Sequence, residues 1–143
     1  MKLLSAEIST MLYPSEVEER VRSLILSLCG DCEIKEERIS SHYGYSFKVL
    51  TCDLSGESAE GLLRRVLCSL NELELYSLLD SIDKYIEGRH LYIRLSKQDL
   101  ALGRFKIYEG GPGGYIRIKF SFKGSLDIKE EVRKVEESCT QIS

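Results

Sequence analysis

Histidine is scarce in this chain: His42 and His90 are the only two among 143 residues, and neither has finger-like spacing. No Ser-His-Asp or Cys-His arrangement carries a recognisable local signature, and carboxylates such as Glu36 and Glu37 read as solvated charges. A non-catalytic protein is therefore expected. Long apolar runs are missing too, since none approaches the roughly 20 residues needed to span a bilayer. Met1 to Leu12 alternates instead of running apolar and carries Glu7, so no targeting pattern is read there. These absences set the expectation of a soluble, cytoplasmic protein with no membrane partner. Repeats, low-complexity tracts and linkers are absent as well, so residues 1–143 are read as one domain. With 43% hydrophobic and 30% charged residues, such a domain can bury a core without staples.

Cys29, Cys32, Cys52, Cys68 and Cys139 form an odd set scattered through helical and strand patterns, unlike a secreted disulfide framework. Free thiols are expected. Cys29-Gly30-Asp31-Cys32 spells C-x-x-C, yet it follows a helical pattern, whereas a redox motif belongs on a strand-to-helix turn. A tetrahedral zinc site would need two further ligands. The plainer reading is a pair of small hydrophobes around a helix end, with no metal and no cofactor.

Ser5 to Leu12 alternates Ala6, Ile8, Thr10 and Leu12 against Glu7, Ser9 and Met11, which predicts a strand with one buried face. After Tyr13-Pro14, Ser15 and Glu18 have the spacing of a capping box, and Val17, Val21, Leu24 and Leu28 form a helical stripe ended by Gly30. Cys32 to Ser40 predicts a polar, edge-like strand, and Tyr45 to Cys52 an apolar one joined to it through a turn at His42-Tyr43-Gly44. Base stacking by His42 or Tyr43 is weighed against an ordinary exposed turn. Helical periodicity runs from Ser58 to Ile86, with a break at Asn71. Three strands are then predicted, Arg89 to Leu95, Arg104 to Tyr108 and Tyr115 to Phe122, the last two joined by a glycine-rich turn at residues 109–114. No Gly-Lys-Ser/Thr follows those glycines, so they read as a mobile hairpin tip and not a phosphate cradle. Asp127 and Glu130 open a final helix over 126–141, whose stripe is Ile128, Val132, Val135 and Cys139. The predicted class is α+β, in the order β-α-β-β-α(α)-β-β-β-α, with helices packed on one face of a largely antiparallel sheet.

Charge is unevenly placed. Residues 89–123 hold eight Lys and Arg against two acids, a balance of +6, while the rest of the chain carries twelve against twenty-one, a balance of −9. Strand parity turns Leu91, Ile93 and Leu95, Phe105 and Ile107, and Ile116, Ile118, Phe120 and Phe122 inward together. The opposite face then gathers His90, Tyr92, Arg94, Arg104, Lys106, Tyr108, Tyr115, Arg117 and Lys119. Lysines and arginines there can neutralise phosphates, and phenol rings can stack on unpaired bases. Cations on a wet sheet face also serve ordinary cross-strand pairing. The sequence shows no RNP-type aromatic signature.

Two segments, His42-Tyr43-Gly44-Tyr45-Ser46-Phe47-Lys48-Val49-Leu50 and Gly88-Arg89-His90-Leu91-Tyr92-Ile93-Arg94-Leu95-Ser96-Lys97-Gln98 with Gly103, join the helix start Pro14-Ser15-Glu16-Val17-Glu18-Glu19-Arg20-Val21 in a pattern that resembles an archaeal family of RNA-binding proteins, also described as predicted exosome subunits. The likeness spans about Ala6 to Phe122. This chain has Tyr45-Ser46 where the family commonly has Asn-Pro, and Ser96 where it commonly has Asp. The resemblance implies a fold similar to the large-subunit ribosomal protein that contacts five-S ribosomal RNA, and implies RNA as the partner. The candidate RNA-binding residues are Tyr92, Arg94, Lys97, Arg104, Lys106, Tyr108, Tyr115, Arg117 and Lys119. The alternative is an assembly subunit, a homodimer or a component of an RNA-processing complex, docking through the sheet or the last helix.

Overall fold

The computed structural model describes residues 2–40, 44 and 46–140. The turn residues His42 and Tyr43, and Tyr45 at the predicted start of the third strand, lie outside the described residues. Six strands form one sheet in the spatial order β2-β3-β1-β6-β5-β4, and every pairing is antiparallel. The strands are β1 (Leu3–Leu12), β2 (Lys35–Ser40), β3 (Ser46–Ser55), β4 (Ile86–Glu87), β5 (His90–Ser96) and β6 (Tyr115–Phe122). The helices are α1 (Glu18–Cys29), α2 (Gly56–Ser69), α3 (Glu72–Asp80), the short α4 (Lys97–Ala101) and α5 (Asp127–Thr140), with a 3-10 turn at Ile82–Tyr85. The α+β class and the helices on one face agree with the sequence pattern.

Strand parity decides which face is covered. Ala6, Ile8, Thr10 and Leu12 of β1, Leu50 and Cys52 of β3, Leu91, Ile93 and Leu95 of β5, and Ile116, Ile118, Phe120 and Phe122 of β6 are all buried. Each large apolar side chain is worth about 1.5–3 kcal/mol when buried. A one-residue slip of β6 would turn four such side chains outward, so the register is strongly fixed. Val21, Ile25 and Leu28 of α1 and Leu62, Leu63, Val66 and Leu67 of α2 complete this core. Asn71 breaks the long helical segment as expected, its side chain accepting the Glu74 N–H at 2.8 Å to cap α3.

Several expectations change in the folded chain. The capping box at Ser15 does not form: α1 starts at Glu18 with Val17 in the cap position and no side-chain cap. Its acids are used elsewhere. Glu18 accepts from Lys48 of β3 at 2.9 Å and from Arg22 at 2.9 Å, and Lys48 and Arg22 also reach Glu36 of β2. The Lys48 hydrogen bond, with help from Arg22, holds the Glu18 carboxyl below its ordinary range. Val17 is exposed, and Ile25 takes the place in the core that the stripe reading gave it.

The predicted strand over Arg104 to Tyr108 reduces to a single bridge between Ile107 and Leu95. The Ser96 N–H donates to the Lys106 carbonyl and the Tyr108 N–H to the Arg94 carbonyl, so this segment covers only the last part of β5's outer edge. β4 covers the first part, pairing with His90 and Leu91. Two short pieces thus share one edge, and neither has room for a full ladder.

Two of the cysteines expected as free thiols are paired. Cys68 of α2 and Cys139 of α5 are disulfide-bonded, with Cα atoms 5.2 Å apart. Cys29, Cys32 and Cys52 converge on each other. The α5 stripe also finds its place within the chain: Ile128, Val132 and Val135 are fully buried against the core. The surface that motivated helix-mediated docking to a second copy is therefore already covered. Among the described residues, no helix is long and apolar enough to cross a membrane.

Candidate nucleic-acid interface

The sheet face away from the helices carries the uncovered side chains. β5 and β6 pair so that Tyr92 sits opposite Lys119, Arg94 opposite Arg117 and Ser96 opposite Tyr115. The parity argument therefore holds for these two strands, and Tyr92, Arg94, Tyr115, Arg117 and Lys119 lie side by side. Diagonal contacts interleave charge and ring. The Arg94 guanidinium lies 5.4 Å from the centre of the Tyr115 ring, and the Arg117 guanidinium 5.6 Å from that of Tyr92. His90 joins this row, its Nδ1 2.9 Å from the Ser121 hydroxyl and its ring 6.1 Å from that of Tyr92.

Two arginines directly opposite each other repel, and like charges in that position weaken a sheet. β1 supplies a partial remedy, because Glu7 accepts from Arg117 at 3.2 Å. The second charge has no such partner: among the described residues, neither Arg94 nor Lys119 makes an ion pair. The Arg117 Nε is buried with no hydrogen-bond partner among the protein groups described. A ligand oxygen between the arginines would answer the repulsion and supply an acceptor, and a phosphate offers several such oxygens. Lys84 is a candidate residue that sequence reasoning missed. It comes from the 3-10 turn and lines a hollow of about 200 Å³ with Tyr92, Arg94 and Arg117. Its position just outside the basic segment, on a helical pattern, hid it. The one local signal was its nearness to the β4–β5 hairpin.

A second, less polar hollow of about 320 Å³ adjoins along the same face. Ser9 and Met11 of β1, Val49 of β3, and Tyr13, Tyr108 and Tyr115 line it. Tyr108 packs against Tyr115 with ring centres 5.1 Å apart and donates its hydroxyl to the Gly111 carbonyl at 3.1 Å. Tyr108 thus reaches the face although it belongs to no strand. The glycine-rich turn that positions it has four residues at positive φ, Gly110, Gly111, Gly113 and Gly114, a conformation open to glycine at little cost.

Of the residues grouped by sequence, Arg104 and Lys106 stand elsewhere, and Lys97 lines the hollow of about 320 Å³ while its charge is paired within the protein. Lys97 is 5% exposed, and its ammonium donates to the Met11 carbonyl at 2.6 Å and to both Glu16 carboxylate oxygens at 3.1 Å. It also lies 5.6 Å from the centre of the Tyr13 ring. Its charge is spent inside the protein, tying the start of α4 to the chain between β1 and α1. Arg104 pairs with Asp99 at 3.3 Å, and Arg104 and Lys106 line a hollow of about 580 Å³ with Asn71 and Glu74 at the α2–α3 junction. Because residues 104–106 are not in a strand, their side chains do not continue the parity of β5. The burial of Glu74 raises its carboxyl above the ordinary range, against the lowering effects of a hydrogen bond from the Ile107 backbone and of the Lys106 charge.

Comparison with known proteins bears on this face. A family model described as RNA binding matches residues 5–122, from the third residue of β1 to the end of β6. A crystal structure from Sulfolobus solfataricus, described as a DUF54 protein, is 27% identical, with a TM-score of 0.78 over 94% of this chain and 98% of that one. A DUF54 protein from Methanothermobacter thermautotrophicus is 18% identical, with a TM-score of 0.76 over 94% and 98%. A UPF0201 protein from Methanococcus jannaschii is 18% identical, with a TM-score of 0.67 over 90% and 92%. The last two likenesses show a shared fold. No curated protein matches the chain.

Proposed function

The chain belongs to the RNA-binding family whose model it matches, and from that premise we propose that it is a non-catalytic RNA-binding protein that grips its ligand on the open face of β5 and β6. The observation that carries the assignment of this face is the opposed pair Arg94 and Arg117, interleaved with Tyr92 and Tyr115, where Glu7 pairs with Arg117 and, among the described residues, Arg94 has no ion-pair partner. Phosphates sit between the arginines and near Lys84 and Lys119. Unpaired bases stack on Tyr92, Tyr108 and Tyr115 or enter the hollow beside Met11 and Val49. Such a platform suits single-stranded or looped RNA, because paired bases keep their faces inside the duplex. A role beside an RNA-processing complex in the cytoplasm, as the exosome-subunit description of the resembled family implies, is part of the same proposal.

Electrostatic contact of this kind is salt-dependent. Each phosphate neutralised on a single strand contributes about 0.7 to the slope of log K against log salt. The Arg94→Glu, Lys119→Glu double variant removes two cations of the face that make no ion pair among the described residues. Anisotropy titrations of a labelled single-stranded RNA over a range of salt are expected to show a slope shallower by about 1.4 and a loss in affinity of at least about tenfold. Lys106→Glu, at the separate hollow, is expected to bind like wild type. Equal weakening by both variants would remove the face assignment, and no RNA binding by the wild type would remove the function.

A further inference from the structure

The sulfur atoms of Cys29, Cys32 and Cys52 all lie within 4.8 Å of one another. They arrive from three places: Cys29 ends α1, Cys32 stands in the loop after it, and Cys52 points from β3 into the core. Sequence spacing offered only the first two, and the antiparallel placement of β3 supplies the third. A divalent sulfur closes one disulfide at a time, yet Cys32 is drawn to both Cys29 and Cys52. A disulfide uses two sulfurs of the three, whereas a metal ion uses all of them.

The surroundings decide between a redox-active thiol and a metal ligand. An activated thiolate is favoured at a helix N-terminus or beside cations. Cys29 instead stands at the C-terminal end of α1, the negative end of the helix dipole, and acids flank the cysteines in sequence: Asp31, Glu33 and Asp53. That setting disfavours a lone thiolate and favours a bound cation. Zinc–sulfur bonds of about 2.3 Å place tetrahedral ligand sulfurs roughly 3.8 Å apart, so Cys32 moves out of disulfide contact with Cys29 and Cys52 when a metal enters.

We infer that Cys29, Cys32 and Cys52 form a three-thiolate site for a thiophilic d10 cation, Zn(II) being the expected occupant, with its fourth position open to water. Among the described residues, no other His, Cys, Asp or Glu joins the cluster. Cys29 and Cys32 are half-buried, so solvent reaches the open position, while Cys52 is fully buried. Binding releases the thiol protons and ties the end of α1 to β3. This proposal stands apart from the RNA face, which lies on the other side of the sheet.

The test uses the full chain, reduced with a phosphine, desalted without oxygen and titrated with Co(II) and then Zn(II). One Co(II) per chain is expected, with a near-ultraviolet thiolate-to-cobalt band that Zn(II) bleaches. Cys29→Ser and Cys32→Ser replace half-buried residues and leave the core intact, and each is expected to lose the band. Cys68→Ser is expected to keep it at full intensity. Cys52→Ser should lose the band too, with circular dichroism reporting whether it is folded. Absence of the band in the reduced wild type overturns the proposal, as does its persistence in Cys29→Ser and Cys32→Ser. So does a Cys29–Cys32 disulfide that survives excess phosphine.

Discussion

Replacing Lys97 by Met keeps most of the apolar stem and deletes the ammonium, so it tests whether this charge serves the fold or the ligand. The ammonium is 5% exposed and its partner Glu16 is 22% exposed, so the pair is largely dry and the carboxylate would be left half-solvated. Breaking a buried pair by removing one partner costs about 3–5 kcal/mol. Partial access of water to Glu16 moves the expectation to the lower end, about 3 kcal/mol, including the Met11 carbonyl that loses its donor. An unfolding entropy of about 2.1 cal/mol/K per residue gives roughly 0.3 kcal/mol/K for this chain. Tm should therefore fall by about 10 °C. Adding Glu16→Gln to Lys97→Met should restore part of the loss, because no uncompensated charge then remains. Thermal melts followed by circular dichroism measure the fall, and anisotropy at a temperature where both proteins are folded measures RNA affinity. Unchanged Tm together with weaker RNA binding would refute the reasoning and return Lys97 to the ligand.

Other substitutions probe separate parts of the molecule. Burial raises the Glu74 carboxyl, so the folded state holds that proton more tightly than the unfolded chain and stability falls as pH rises through the raised value. Glu74→Gln is accordingly expected to raise Tm at pH 7, with the gain shrinking toward the ordinary glutamate range near pH 4; a gain that instead grew on acidification would contradict the assignment. Ile128→Ala removes a fully buried side chain of α5 and should cost about 2–4 kcal/mol in urea unfolding, with the molar mass by light scattering unaltered. A change in molar mass without that loss of stability would mean that the stripe serves a second copy.

How much of this was legible in the sequence depended on the range of the interactions that decide each element. Parity within β5 and β6 is local, and it placed Leu91, Ile93 and Leu95 in the core and Tyr92, Arg94, Arg117 and Lys119 outside. Asn71 carries its own stop signal. Arg104 to Tyr108 has the same alternation as a strand, but the space beside β5 was already divided with β4, a fact of tertiary arrangement. Lys97 looked like its neighbours in a basic run, and its partner Glu16 lies 81 residues away. Cys52 likewise joins a motif that ends 20 residues before it. Ser15 and Glu18 satisfied a local capping pattern on paper, yet Lys48, 30 residues along the chain, claimed the Glu18 carboxylate.

The two borders of the sheet limit how anything can approach it. On one side β2 presents Lys35, Glu36, Glu37 and Arg38 in succession, a charged and half-committed strand. On the other, the outermost strand is two residues long and the last part of β5 is bonded to Lys106 and Tyr108. The β5 border is shared between short pieces of the chain, and on β2, whose outer edge is paired to no strand, the row of charged side chains blunts the addition of a seventh strand. Recruitment by main-chain pairing is thereby discouraged, and partners must come down onto the sheet instead of alongside it. A ligand that must arrive from above meets side chains before backbone, so selectivity is set by rings and charges that evolution can exchange one at a time without disturbing the ladder beneath.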